Sequence, residues 1–319
     1  MSHMRPLDQH RSTLMTVHAH PDDEVIGTGG VMARAVAEGR RVVLVTCTRG
    51  ELGEIVVPAL DTKENRRRLG EMRAAELEAA MGELGVTEWE NLGYRDSGMM
   101  GTAGNRDARC FWEAPVDEAA RRLVFLIRTY RPDVMTTYND FGGYGHPDHI
   151  ASHRVTVAAF ARAGDAAWYP EQVAAEHGGA GPSEVAGGLV PWAPAKLYEQ
   201  AQDPALRERM REMLHERGLR TFWDPPADAT PEQRATFDAW IAQMTIDPAT
   251  ITTRVDVAPW AERRFAALRC HATQISIDNP LLALGPDAWR ELGGQEAFVL
   301  RESRVPATPP ETDLFAGIA

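Results

Sequence analysis

The chain has 319 residues, 44% hydrophobic and 25% charged, with a formal net charge of −12. That is enough chain and apolar content for a large globular core, and the acidic balance excludes the basic footprint of a nucleic-acid binder. Cys47, Cys110 and Cys270 form no CxxC pair, no apolar run approaches the roughly 20 residues of a membrane span, and no apolar stretch follows a basic start. A reducing, cytoplasmic setting without a disulfide framework, membrane partner or secretory signal is therefore expected.

Met1-Ser2-His3-Met4 reads as a cloning remnant and is set aside. Leu14–Val17 is a short apolar run that predicts a buried strand ending at His18-Ala19-His20-Pro21. Gly27-Thr28-Gly29-Gly30 follows, then helical composition from Val31 to Glu38, closed by Gly39. Arg41–Thr48 is a second strand, rich in β-branched residues. Residues 62–84 predict an amphipathic helix ending at Gly85, on which Arg66-Arg67-Arg68 forms a solvated face. Trp89–Tyr94 suggests a third strand and 116–130 a helix stopped by Arg131-Pro132. Asp133–Tyr138 is a fourth strand, and His149–Ala163 is helical again.

Strands alternating with helices predict a doubly wound, mostly parallel α/β sheet of Rossmann-like type over residues 12–163. Residues 164–195, with Gly178-Gly179 and Gly187-Gly188, read as a long loop or lid. Residues 196–319 read as a smaller C-terminal α+β portion packed on the core and completing the site. It would hold helices near 203–217, 231–243 and 259–273, a strand near 251–257 and an extended proline-rich tail at 305–310.

In such a sheet, ligands bind beyond the carboxyl ends of the strands. Two His-Pro-Asp elements fall there: His20-Pro21-Asp22-Asp23-Glu24 after the first strand, and His146-Pro147-Asp148-His149 after the fourth. Alone, the acids of the first suit a helix N-terminus, and the second suits a glycine-rich loop with a capping Asp. Together at one sheet edge they point to a metal. A catalytic zinc takes three nitrogen or oxygen ligands and leaves a position open, and a two-His, one-carboxylate set suits Fe²⁺ equally. His153, one helical turn from His149, is an alternative to His20 as a ligand.

Ala19-His20-Pro21-Asp22-Asp23 with His146-Pro147-Asp148-His149 resembles the PIG-L/LmbE-like zinc-dependent deacetylases. Thr46-Cys47-Thr48, Gly50-Glu51, Arg95-Asp96-Ser97-Gly98-Met99, His271-Ala272-Thr273-Gln274 and Glu311–Gly317 extend the likeness over nearly the whole chain. The nearest branches act on mycothiol precursors (deacetylases) and on mycothiol S-conjugates (amidases).

The resemblance implies metal-dependent hydrolysis of the N-acyl amide of a small glucosaminyl substrate. It makes His20, Asp23 and His149 the ligands of Zn²⁺, with Fe²⁺ as the other candidate. Asp22 becomes the general base for the attacking water. His146 becomes a protonated group facing the oxyanion or the leaving amine, its imidazole held in one tautomer by Asp148. Tyr144 donates its hydroxyl to the tetrahedral intermediate, and Arg73 and Asp96 hold hydroxyls of the sugar or cyclitol. Gly145 and the Arg95–Thr102 stretch look deacetylase-like, whereas Ser303–Pro306 and Leu314–Ile318 look amidase-like. A deacetylase of bacillithiol or antibiotic biosynthesis, or a non-catalytic sugar-conjugate binder on the same fold, are the other readings.

Overall fold

The computed structural model describes residues 11–173 and 188–318. The elements, in chain order, are β1 (Thr13–His18), α1 (Asp23–Ala37), β2 (Arg41–Thr46), α2 (Lys63–Arg67), α3 (Leu69–Leu84), β3 (Glu88–Asn91), α4 (Val116–Tyr130), β4 (Val134–Thr137), α5 (Gly142–Gly145), α6 (Pro147–Arg162), β5 (Lys196–Ala201), α7 (Pro204–Glu216), α8 (Pro231–Met244), β6 (Thr253–Asp256), α9 (Ala261–Cys270), α10 (Pro280–Ala283), α11 (Gly285–Leu292) and β7 (Gln295–Ser303).

The seven strands form one sheet in the order β3-β2-β1-β4-β5-β7-β6. The first five run parallel, with Thr13 beside Arg41, Leu14 beside Val134 and Val134 beside Lys196. β7 lies antiparallel to both β5 and β6. Side chains alternate between the two faces of a strand, so every residue of β1 is buried. Leu14, Val42, Leu44 and Val134 pack under α1, α3, α9 and α11, while Met15, Val17, Val43, Val45 and Met135 pack under α4 and α6. The chain leaves β1 toward β2 on one side and returns to β4 on the other. The carboxyl ends of β1 and β4 therefore flank the topological switch point, where open α/β sheets bind ligands.

The C-terminal portion does more than pack on the core, because its strands extend the same sheet. Sequence patterning anticipates the strand near 251–257 but not β5 or β7. β5 (KLYEQA) hides behind its charges: Lys196 is fully buried only because its ammonium meets Glu311 at 2.6 Å, from the far end of the chain. The expected helix over 62–84 is two helices, interrupted at Arg68. α1 begins at Asp23 rather than Val31, so the glycines lie inside it. A Cβ at Gly30 would come within 2.6 Å of Val257, and the bare backbone lets α1 sit close against its neighbours. Within the expected loop at 164–195, Pro170–Gln172 form a short 3₁₀ turn and Val173 bridges to Leu189. Residues 174–187, including Gly178, Gly179 and Gly187, lie outside the described residues.

Candidate metal centre

The end of β1 is held by its neighbours. The His18 and Ala19 carbonyls accept from Cys47 N–H and Thr48 N–H, and Ala19 N–H donates to the Tyr138 hydroxyl at 2.9 Å. The backbone then turns sharply through Asp22, at φ 105°, and enters α1. Asp23 and Glu24 do occupy the first turn, where acids complement the helix dipole, but their carboxylates also reach outward. Beyond β4, the chain makes the single turn α5 and starts α6 with His146 as its N-cap. Gly142, at φ 67°, must lack a Cβ, which would fall 2.7 Å from that of His149.

These two segments bring His20, Asp23 and His149 together. His149 Nδ1 lies 3.1 Å from the Gly142 carbonyl, which only an N–H can satisfy. Its Nε2 then carries a lone pair, and that atom is buried with no hydrogen-bond partner. His20 Nε2 lies 3.1 Å from Asp148 Oδ2, so its N–H is fixed there and the lone pair sits on Nδ1. One oxygen, Asp23 Oδ2, stands 3.3 Å from His20 Nδ1 and 3.3 Å from His149 Nε2. Ligand bonds of about 2.0–2.1 Å in tetrahedral array place donors about 3.3–3.4 Å apart. Both Asp23–His separations therefore match what Zn²⁺ or Fe²⁺ asks of a donor pair. By mutual separation alone, one nitrogen each of His20, His146 and His149 lie within 4.8 Å of one another, as do donor atoms of His20, Asp96, His146 and Asp148, and neither group includes Asp23. His146, however, spends Nδ1 on the Asp148 N–H at 3.1 Å, and Asp23 alone offers an oxygen equidistant from both free nitrogens.

The charge balance asks for a cation as well. Burial lowers the His20 pKa, but Asp96, Asp148 and Asp23 overcome it and raise the group well above 6.5. Burial raises Asp23, yet His149 and His20 hold it well below the usual carboxylate range. A metal at this point would take the place of the proton that the carboxylates attract.

Asp22 is set apart from the donors. Its carboxylate faces Arg73 at 3.2 Å. Burial, assisted by Asp23 and Glu24, pushes it up to about 6 against the pull of Arg73 and His271.

One expectation is corrected. The Asp148 carboxylate does not hold His146: it accepts from His20 Nε2–H, from Ser97 N–H at 2.9 Å and from the Ser97 hydroxyl. The resemblance implied His146 as its partner, but from the first turn of α6 the Asp148 side chain reaches His20 and Ser97 instead. For His146, expected as a protonated group, the surroundings without a metal disfavour the charge. Burial, then the neighbouring His20 and His149, drive its pKa far below 6.5, and its place at the start of α6 acts in the same direction. The Asp148 N–H takes its Nδ1 lone pair, so the ring nitrogen left to donate is Nε2.

The remaining expected residues stand as follows. Arg73 is buried, with N–H groups on the Gly50 and Pro21 carbonyls at 2.9 and 2.5 Å and its Nε unpartnered. The Asp96 oxygens accept from Leu52 N–H at 2.9 Å and Gly98 N–H at 2.7 Å, with Oδ1 3.7 Å from His20 Nε2. Tyr144 packs edge-on to His149 with centroids 4.9 Å apart. Its carbonyl accepts from Trp240 Nε1–H at 2.9 Å, which ties α8 to the site. His153 lies aside, 2.9 Å from the Tyr138 carbonyl, and is not brought into the donor set. Several supporting residues were given no role in the sequence reading. Ser97 anchors Asp148, Tyr138 stacks on His149 at 4.2 Å, and Glu24 joins His271 at 2.8 Å. Ser97 and His271 carried a signal through the likeness of their stretches to the family pattern, and Glu24 through its place in the first His-Pro-Asp element, whereas Tyr138 carried none.

The family model described as "PIG-L: GlcNAc-PI de-N-acetylase" matches residues 15–160. The chain is 43% identical over 317 residues to a 1D-myo-inositol 2-acetamido-2-deoxy-alpha-D-glucopyranoside deacetylase of Streptomyces avermitilis, covering 96% of this chain and 97% of that one. Among solved structures it is similar to the N,N'-diacetylchitobiose deacetylase of Pyrococcus horikoshii, with TM-score 0.57, 19% identity and coverage of 97% and 86% of the two chains. It is likewise similar to GalB, a 4-carboxy-2-hydroxymuconate hydratase of Pseudomonas putida, with TM-score 0.54, 18% identity and coverage of 93% and 99%. A deacetylase and a hydratase on one architecture mean that the fold by itself does not set the reaction.

Proposed function

The chain belongs to the PIG-L family of de-N-acetylases, and from that premise we propose that it hydrolyses the acetamide of an N-acetylglucosaminyl-inositol, releasing acetate and the free amine. The inositol-linked substrate follows the name of the Streptomyces avermitilis relative, whose match runs end to end. The same match favours an acetyl over an acetylcysteinyl amide, despite the amidase-like residues near the C-terminus. The observation that carries the reading is the site itself: Asp23 Oδ2 at 3.3 Å from both free imidazole nitrogens, with Asp22 beside it facing Arg73.

In this reading His20, Asp23 and His149 hold Zn²⁺, or Fe²⁺, which the same donors accommodate. A bound metal supplies Lewis acidity, making a coordinated water easier to deprotonate and the amide carbonyl more electrophilic. Asp22 takes a proton from the attacking water. A carboxylate near pKa 6 is ionised at neutral pH yet basic enough for that transfer. The tetrahedral oxyanion is met by His146 Nε2–H and by the Tyr144 hydroxyl. Asp22 then returns its proton to the nitrogen as the C–N bond breaks, so one carboxylate carries the proton in both directions. Arg73 fixes the Asp22 carboxylate and the Pro21 carbonyl, and in this reading it and Asp96 hold the sugar hydroxyls. Release of primary amine from acetylglucosaminyl-inositol, acetylglucosaminyl-malate and a mycothiol S-conjugate tests this. The highest kcat/KM belongs to the first, and a preference for the S-conjugate overturns the assignment.

A further inference from the structure

We propose that Glu24 and His271 form a buried positioning pair that fixes the orientation of Asp22, an inference that rests on Asp22 being the base. Asp22 is a non-glycine residue at φ 105°, a conformation that persists only where the surroundings over-determine it. Its side chain makes no capping bond to α1 that would stabilise the turn locally. Instead its N–H donates to Glu24 Oε2 at 2.8 Å, and the other carboxylate oxygen, Oε1, pairs with His271 Nε2 at 2.8 Å. Glu24 and His271 are both fully buried, and neither belongs to the donor set around Asp23. A carboxylate two residues away would swing freely unless something held its second oxygen. His271, 247 positions along the chain, holds it.

The turn that carries His271 also steadies the other group acting on Asp22. Thr273 donates from its N–H and its hydroxyl to Glu76 at 2.8 and 2.7 Å, and Glu76 sits three residues after Arg73 on α3, on the same helical face. Gln274 Nε2–H donates to the Glu54 carbonyl at 3.0 Å. One turn of the C-terminal portion therefore governs the base from two sides: its amide through Glu24, and its carboxylate through the helix bearing Arg73. His271 and Glu24 touch no reacting atom. They act through the backbone of Asp22.

The test is a set of kinetic cycles in the zinc-loaded full chain. Glu24→Ala, Glu24→Gln and His271→Ala are made with Asp22 intact and with Asp22→Asn, and kcat, KM and bound zinc are measured for each. With Asp22 intact, Glu24→Ala and His271→Ala lower kcat about 10²-fold, the cost of a small misplacement of a catalytic group, while KM and zinc stoichiometry hold. Glu24→Gln keeps an acceptor for the Asp22 amide and restores most of that activity. With Asp22→Asn the same substitutions change kcat by less than about twofold, because non-additivity marks groups that act as one unit. Wild-type kcat in Glu24→Ala and His271→Ala overturns the proposal. So does an equal loss in both backgrounds, which a merely structural pair would give. Full activity of Asp22→Asn alone overturns the reading of the base instead. If His271→Ala does not fold, the Glu24 variants decide the same comparison.

Discussion

Replacing Asp148 with Asn separates two accounts of the site. The Asp148 carboxylate is fully buried and accepts three hydrogen bonds: from His20 Nε2–H at 3.1 Å, from Ser97 N–H at 2.9 Å and from the Ser97 hydroxyl. The Asn side chain keeps one oxygen, enough for the two donors shared by Oδ2. Its amide meets a Ser97 hydroxyl that already accepts from Trp112 N–H. The negative charge behind His20 is lost, and with it part of the basicity of His20 Nδ1. Removing the carboxylate behind a ligating histidine costs about 10–100-fold in metal affinity, or about 1.4–2.7 kcal/mol at 1.36 kcal/mol per tenfold. Competition with a chromophoric chelator measures this directly, and saturating zinc restores most of the kcat. Wild-type zinc affinity together with a collapsed kcat at saturating metal would refute the placement. It would return Asp148 to the role expected from sequence, as the partner of His146.

Gly142→Ala should lower zinc affinity without altering a ligand, because the new Cβ at φ 67° meets the His149 Cβ at 2.7 Å; unchanged affinity in the same competition assay refutes the packing argument. Lys196→Met should destabilise by about 3–5 kcal/mol in denaturant unfolding, since it strands the buried Glu311 carboxylate 2.6 Å away, and adding Glu311→Met should recover most of the loss. Burial raises Asp224, but His215, Arg211 and Thr221 outweigh it and hold it well below the usual carboxylate range. Its contribution to stability is therefore complete above the unfolded value of about 3.9 and is lost as pH falls through the lower folded value. The gap in Tm between wild type and Asp224→Asn should be full at pH 7 and close on acidification below about 4; a gap that widens with acid contradicts the sign.

Much of the centre was readable because its chemistry is local. His20 and Asp23 lie together just after β1, and His146 and His149 lie together where α6 starts beyond β4, and the alternation of strand and helix places both at one sheet edge. What sequence did not convey are the contacts across the sheet. Asp148 is two residues from His146 and 128 from His20, yet the side chain goes to His20. The burial of His146 beside two other imidazoles is likewise something no spacing encodes. β5 was hidden because a lysine inside a parallel sheet contradicts the apolar signature unless its partner, 115 residues later, is known. The His271–Gln274 stretch was visible as a pattern, but its attachment to Glu24 and Glu76 required the fold.

The central claim is that Asp23 binds the metal while its neighbour Asp22 moves the proton. It is tested most directly by measuring bound metal and kcat in Asp22→Asn and Asp23→Asn side by side. Asp22→Asn should retain one metal per chain and lose about 10²–10⁴ in kcat, whereas Asp23→Asn should emerge from dialysis without metal. Equal metal loss in both variants, or full activity in Asp22→Asn, would contradict it.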